Sequence, residues 1–124
     1  MDKKSAIELL NYIVESITLI NERFQEINSS EDFLQDNKGL EKLDSISMRL
    51  QTIGEAVKNI YKRDPDILLS VQDKSYWSEI IRLREIISHH YINIDSEIVY
   101  DICKDDIHKL KSIVASILNK KTTS

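Results

Sequence analysis

The constraint that most narrows the fold is a three-and-four spacing of apolar residues that returns in long stretches of the chain. In the first, Ile7, Leu10, Val14, Ile17, Ile20, Phe24 and Ile27 fall on one stripe, widened by Ile13. That spacing predicts an amphipathic helix from about Lys3 to Asn28. In the second, Leu40, Leu43, Ile46, Leu50, Ile53, Val57 and Ile60 do the same, predicting a helix from about Lys38 to Tyr61. A third helix is expected from about Ser75, turning Trp77, Ile80, Ile81, Leu83 and Ile87 inward and broken at Asn93-Ile94-Asp95. A fourth runs from about Ser96, carrying Ile98, Val99, Ile102, Ile107, Leu110, Ile113, Val114, Ile117 and Leu118, with a weak point near Lys104-Asp105.

Between these stretches the sequence supplies punctuation. Ser30 precedes Glu31-Asp32, an N-cap followed by acids that favour a helix start, so a short helix to about Gln35 is expected. Asp36-Asn37-Lys38-Gly39 reads as a turn within which the next helix can begin. Pro65 stops the second helix and can open a short helical turn through about Ser70. Asp95 is the expected cap of the fourth helix, and Lys120 to Ser124 are expected to fray. Gly54, in mid-helix, costs about 1 kcal/mol relative to Ala and implies close packing against another helix or a subunit. With only two Gly and one Pro, a turn-rich β architecture is disfavoured. The expectation is one all-α domain over residues 1–124, a four-helix up-down bundle, with stripes wide enough to leave apolar surface for a homodimer.

Composition removes several function classes. The single Cys103 forms no internal disulfide, and its pairing with His108 lacks the further ligands a zinc site needs, so no metal is expected. No apolar run spans a bilayer, and the first residues lack a signal-peptide core, making the cytoplasm the expected compartment. A net charge of −4 disfavours broad non-specific nucleic-acid binding but leaves room for a locally basic site. There is no phosphate-cradling Gly-rich loop and no serine nucleophile elbow.

Chemistry concentrates in Arg84-Glu85-Ile86-Ile87-Ser88-His89-His90-Tyr91. The planar guanidinium of Arg84 suits phosphate oxygens, and His89 is a proton carrier near neutral pH. Together they suit metal-free phosphodiester cleavage, with His89 moving a proton and Arg84 steadying charge on phosphorus. Glu85, Ser88 and His90 are polar neighbours, and Tyr91 can bind a base or accept a modifying group. Spacing alone leaves the site unassembled. On a straight helix Arg84 and Tyr91 share a face, but Arg84 and His89 lie roughly 140° apart. The helix must bend or end near His89, the arginine must reach across, or a second subunit must complete the site. The plainer reading of the same residues is a Glu85–His89 surface pair, a solvated Arg84 and a Tyr91 that caps the core.

The stretch from Arg84 to Tyr91 fits the pattern R-x-x-x-x-H-x-Y and resembles the motif of the HEPN-type toxins of HEPN/MNT toxin–antitoxin pairs, the HepT-like family. Ile53-Gly54-Glu55-Ala56, Trp77 with Ile80-Ile81, the segment Tyr91-Ile92-Asn93-Ile94-Asp95 and the early Asp32-Phe33-Leu34 are similar in the same order. The resemblance implies a dimeric four-helix bundle and a metal-independent ribonuclease with Arg84 and His89 as its catalytic residues. It also implies neutralisation by a small MNT-type nucleotidyltransferase antitoxin able to transfer AMP from ATP onto Tyr91. The chain departs from the family at Glu85, where Asn or Asp commonly follows the arginine; a pairing of Glu85 with Arg84 or His89 would weaken activity. The alternative is a non-catalytic helical module that binds a nucleotide or a protein.

Overall fold

A computed structural model describes residues 3–88 and 94–123, with side chains described over 6–88 and 94–120. Helix α1 spans Lys3–Phe24 and buries Ala6, Leu10, Ile13, Ile17 and Ile20. It stops short of the expected Asn28 because the chain turns: the Ile27 amide donates to the Phe24 carbonyl at 3.0 Å, and the Asn28 amide to the Asp32 carboxylate at 2.8 Å. The short helix after it is a 3-10 turn, Ser30–Phe33, ending before Gln35. Ser30 is its first residue rather than its cap; Ser29 stands at the cap position and makes no side-chain cap bond. Phe33 is fully buried and pins the turn to the core.

Helix α2, Asn37–Arg63, begins inside the expected turn because the Asp36 carboxylate accepts from the Gly39 amide at 2.7 Å. Its stripe matches the expectation except at Leu40, which is 40% exposed. The neighbouring Gly39 is buried instead, tucked beneath the Asp32 and Phe33 carbonyls. Lys62 and Arg63 complement the helix dipole in the last turn, and Pro65 opens α3, Pro65–Leu69.

Helix α4, Lys74–Ile81, is capped by Asp73, whose carboxylate accepts from the Tyr76 amide at 2.9 Å. The third long helix of the sequence reading is in fact two pieces: the chain breaks at Arg82 and resumes as α5, Leu83–Ile87. Ser88 is extended and forms an isolated antiparallel bridge with Ile94, and the Asp95 amide donates to the Ile87 carbonyl at 2.8 Å. Asp95 then caps α6, Ser96–Asp101, accepting from the amides of Glu97 and Ile98. The predicted weak point is a π turn over Ile102–Asp106 that leads directly into α7, Ile107–Thr123. The five-residue step between buried Ile102 and Ile107 suits the wider π turn. Helix α7 is described to Thr123.

Helices α1 and α2 are antiparallel. Tyr12 donates to Thr52 at 2.7 Å towards one end, and Lys42 pairs with Glu26 at 3.6 Å towards the other. The Tyr100 hydroxyl donates to the Asn28 carbonyl at 2.9 Å, so α6 starts beside the end of α1 and α7 returns along it. The α4–α5 pair packs on α2 and fills the fourth position of the all-α bundle. Trp77 holds it there: the ring is fully buried, and its Nε1–H donates to the Leu68 carbonyl at 2.9 Å.

Gly54 marks a close approach of α2 and α4. A Cβ built there would stand 2.9 Å from the Ile80 carbonyl oxygen and 3.2 Å from that of Ile81. Gly54→Ala gains about 1 kcal/mol in helix propensity, yet must push backbone aside. The net expectation is destabilisation by up to about 2 kcal/mol, the usual range for overpacking less that gain, read as a lowered denaturant midpoint. A rise in the midpoint would mean that α4 shifts freely.

Candidate functional site

Helix α5 owes its orientation to two anchors. Leu83 and Ile87, one turn apart, are buried, which leaves Arg84, Glu85 and Ile86 on the exposed side. Among the described residues Arg84 has no ion-pair partner, so Glu85 does not neutralise it. An exposed guanidinium on a short, anchored helix is available to an anionic ligand.

The helix ends at Ile87, two residues before His89, and the helical arithmetic that separates Arg84 from His89 by 140° does not apply. The Ser88–Ile94 bridge fixes both ends of the intervening segment against one another. Ser88, a supporting polar candidate, is half-buried with its backbone in that bridge. His89, His90 and Tyr91 lie outside the described residues. Of the candidate site residues, the structure places Arg84 and Glu85 on the exposed side of α5 and Ser88 at its C-cap.

The other sequence candidates separate. Cys103 is fully buried and His108 exposed. Among the described residues no cluster of three or more His, Cys, Asp or Glu is placed to hold a metal. Burial pushes the Cys103 thiol up to about 12, so the fold favours its neutral form. That contribution to stability is complete below the unfolded thiol's pKa, near 8.5, and is lost as pH rises towards 12. Cys103 is expected to resist thiol reagents at pH 8 in the folded protein and to react once denatured. Rapid labelling without denaturant would contradict its burial.

Two features escaped the sequence reading. Arg49 sits over the Tyr12 ring at 5.8 Å and donates to the Tyr12 and Ser16 hydroxyls at 3.5 and 3.3 Å. Burial raises the Tyr12 phenol, but the hydrogen bonds with Thr52 and Ser16 and the Arg49 charge together outweigh it, and the net direction is down. The only sequence signal was a Tyr and an Arg on facing helices, which is not specific. The second feature is an apolar cleft with acidic edges between α4–α5 and α6–α7. Its acids lie on different helices, and the local pattern does not connect them.

The all-α bundle and the R-x-x-x-x-H spacing go with an RNase-type HEPN protein, the class to which the family comparison assigns the chain. The family profile described as "Ribonuclease HepT-like" matches residues 13–117, and the chain belongs to that family. It is 35% identical over 109 residues to a protein named "Probable ribonuclease HepT" from Thermococcus cleftensis, covering 88% of this chain and 92% of that one. It is 31% identical over 121 residues to MJ0127 of Methanocaldococcus jannaschii, named as a candidate RNase, covering 94% of this chain and 93% of that one. A longer protein of the same organism, MJ0434, named as a gamma-glutamylcyclotransferase and candidate RNase, is 32% identical over 111 residues. That match covers 90% of this chain but 46% of the longer relative. No solved structure matches the chain.

Proposed function

We propose that the chain is the toxin of a toxin–antitoxin pair and cleaves RNA without a metal ion. The observation that carries this reading is the family match across residues 13–117, which spans the motif, on a chain whose Arg84 is exposed and unpaired among the described residues. The names of the relatives supply the RNA substrate class.

In the proposed step a ribose 2′-oxygen attacks the adjacent phosphorus and the bond to the 5′-oxygen breaks, leaving a 2′,3′-cyclic phosphate and a 5′-hydroxyl. His89 carries the proton, removing it from the 2′-hydroxyl or delivering it to the leaving oxygen. Arg84 donates to the phosphoryl oxygens as charge builds there. A homodimer would bring two copies of the motif to one cleft. The proposed antitoxin is an MNT-type nucleotidyltransferase that transfers AMP to the Tyr91 hydroxyl, releasing pyrophosphate from ATP. A bulky anionic group beside the motif would repel RNA by charge and block it by size. The second reading, a non-catalytic binding module, is favoured by the net charge of −4.

Expression of the chain alone is expected to arrest growth, with Arg84→Ala or His89→Ala relieving the arrest. Unchanged arrest in both variants would defeat the proposal. Co-expression with a nucleotidyltransferase partner is expected to add the mass of AMP to the peptide carrying Tyr91; an unmodified peptide would remove the acceptor role.

A further inference from the structure

We propose that the cleft between α4–α5 and α6–α7 is a docking groove for a short, cationic, amphipathic helix of a partner protein. Its volume is about 380 Å³, and Leu50 of α2 lies among its lining side chains. Ile80 and Ile86 contribute to one wall, Ile98 and Leu110 to the other. The first wall runs from Tyr76 on α4 to Ile86 on α5, across the break at Arg82. An amphipathic helix enters a groove of this kind by apolar anchors at i, i+4 and i+7, about 10 Å apart end to end.

The charge at the edges specifies the occupant. Glu79 stands on one side, Asp101 and Asp106 on the other, and Lys109 is the one basic residue among the described residues of the lining. Lys109 is itself engaged, its ammonium 5.0 Å from the Tyr76 ring centroid. The π turn creates this arrangement. Asp101 and Asp106 are five residues apart and would diverge by roughly 140° on a regular α-helix, but the i→i+5 turn between them brings both to the cleft. The acids remain incompletely neutralised. Burial, with the charges of Asp105, Asp101 and Glu79, raises the Asp106 carboxyl against the opposing pull of Lys109.

An apolar floor asks for apolar side chains, and carboxylates on both edges ask for Lys or Arg beside them. RNA, a polyanion, is repelled here. A second copy docking by this same face would set Glu79, Asp101 and Asp106 against their own counterparts. A cationic amphipathic helix meets both demands. Ile86, two residues from Arg84, would set one end of the bound helix beside the motif. The proposal does not depend on RNA cleavage.

The test is fluorescence anisotropy of a labelled peptide, Leu on one face and Lys on the other, titrated with the full chain. A matched peptide with Glu in place of Lys is the comparison. Saturable binding of the Lys peptide is expected, at least about tenfold tighter than the Glu peptide. The exposed pair Asp101→Lys, Asp106→Lys is expected to reverse that order, and Ile86→Asn to weaken both peptides. No saturable binding, equal affinities for the two peptides, or an order unmoved by the charge reversal would overturn the proposal. A halving of the chain's sedimentation mass on adding peptide would assign the cleft to a second copy and overturn it too.

Discussion

Replacing His89 or Arg84 with Ala is expected to cut RNA cleavage by about 10²–10⁴-fold. That is the range for losing a positioned proton carrier or a preorganised donor to developing charge. The two losses should not add: once one partner of a concerted unit is gone, the other has little left to assist. Arg84→Lys separates charge from geometry. It keeps the cation but loses the fork that grips two phosphoryl oxygens, so its activity should fall close to that of Arg84→Ala. Because Arg84 is exposed and without an ion-pair partner among the described residues, neither Arg84 variant should change the melting temperature appreciably. An Arg84→Ala protein that melts early would make the residue structural and its lost activity uninformative. Glu85→Asn is a useful companion. Glu85 does not pair with Arg84, so restoring the residue type common in the family should leave activity within a few-fold of the parent.

The largest stability effect is expected at Trp77. Trp77→Ala removes a fully buried ring and its bond to the Leu68 carbonyl, which keeps the Val71 and Gln72 amides as donors, for a loss of about 3–5 kcal/mol. For a domain of this size that lowers the melting temperature by roughly 10–20 °C. Trp77→Phe keeps most of the volume but not the indole N–H, and should lose about 1–3 kcal/mol. Both substitutions loosen α4 from the α3 turn rather than touching Arg84 directly. At temperatures where the variants remain folded, cleavage should therefore fall far less than in the motif variants. A Trp77→Ala protein as stable as its parent would contradict the packing of α4–α5 on α2.

The helical stripes made most of this architecture legible. The expected core positions of α2 are buried except Leu40, those of the first stripe are buried except the half-buried Ile7, Val14 and Phe24, Asp95 caps α6, and Gly54 does mark a close helix approach. What could not be read was decided by contacts distant in sequence. Neither Gly nor Pro signals the break at Arg82. The end of α5 at Ile87 coincides with the pairing of Ser88 with Ile94, which apolar periodicity does not encode. That helix end matters most for the site, because straight-helix spacing stops at Ile87 and does not extend to position 89. Leu40 illustrates the opposite error: its spacing continues the stripe, but Gly39 takes the buried place because only a residue without Cβ fits beneath the Asp32 and Phe33 carbonyls. The π turn was foreshadowed by a weak point near Lys104-Asp105, whereas its alignment of Asp101 with Asp106 emerges only in three dimensions.

The most direct test of the account is cleavage of RNA by the purified chain in EDTA, parent beside His89→Ala, with the product ends identified. Cleavage by the parent alone, leaving 2′,3′-cyclic phosphates, is the predicted result. Equal cleavage by both proteins, or cleavage that stops when EDTA is added, would contradict the metal-free Arg84–His89 mechanism.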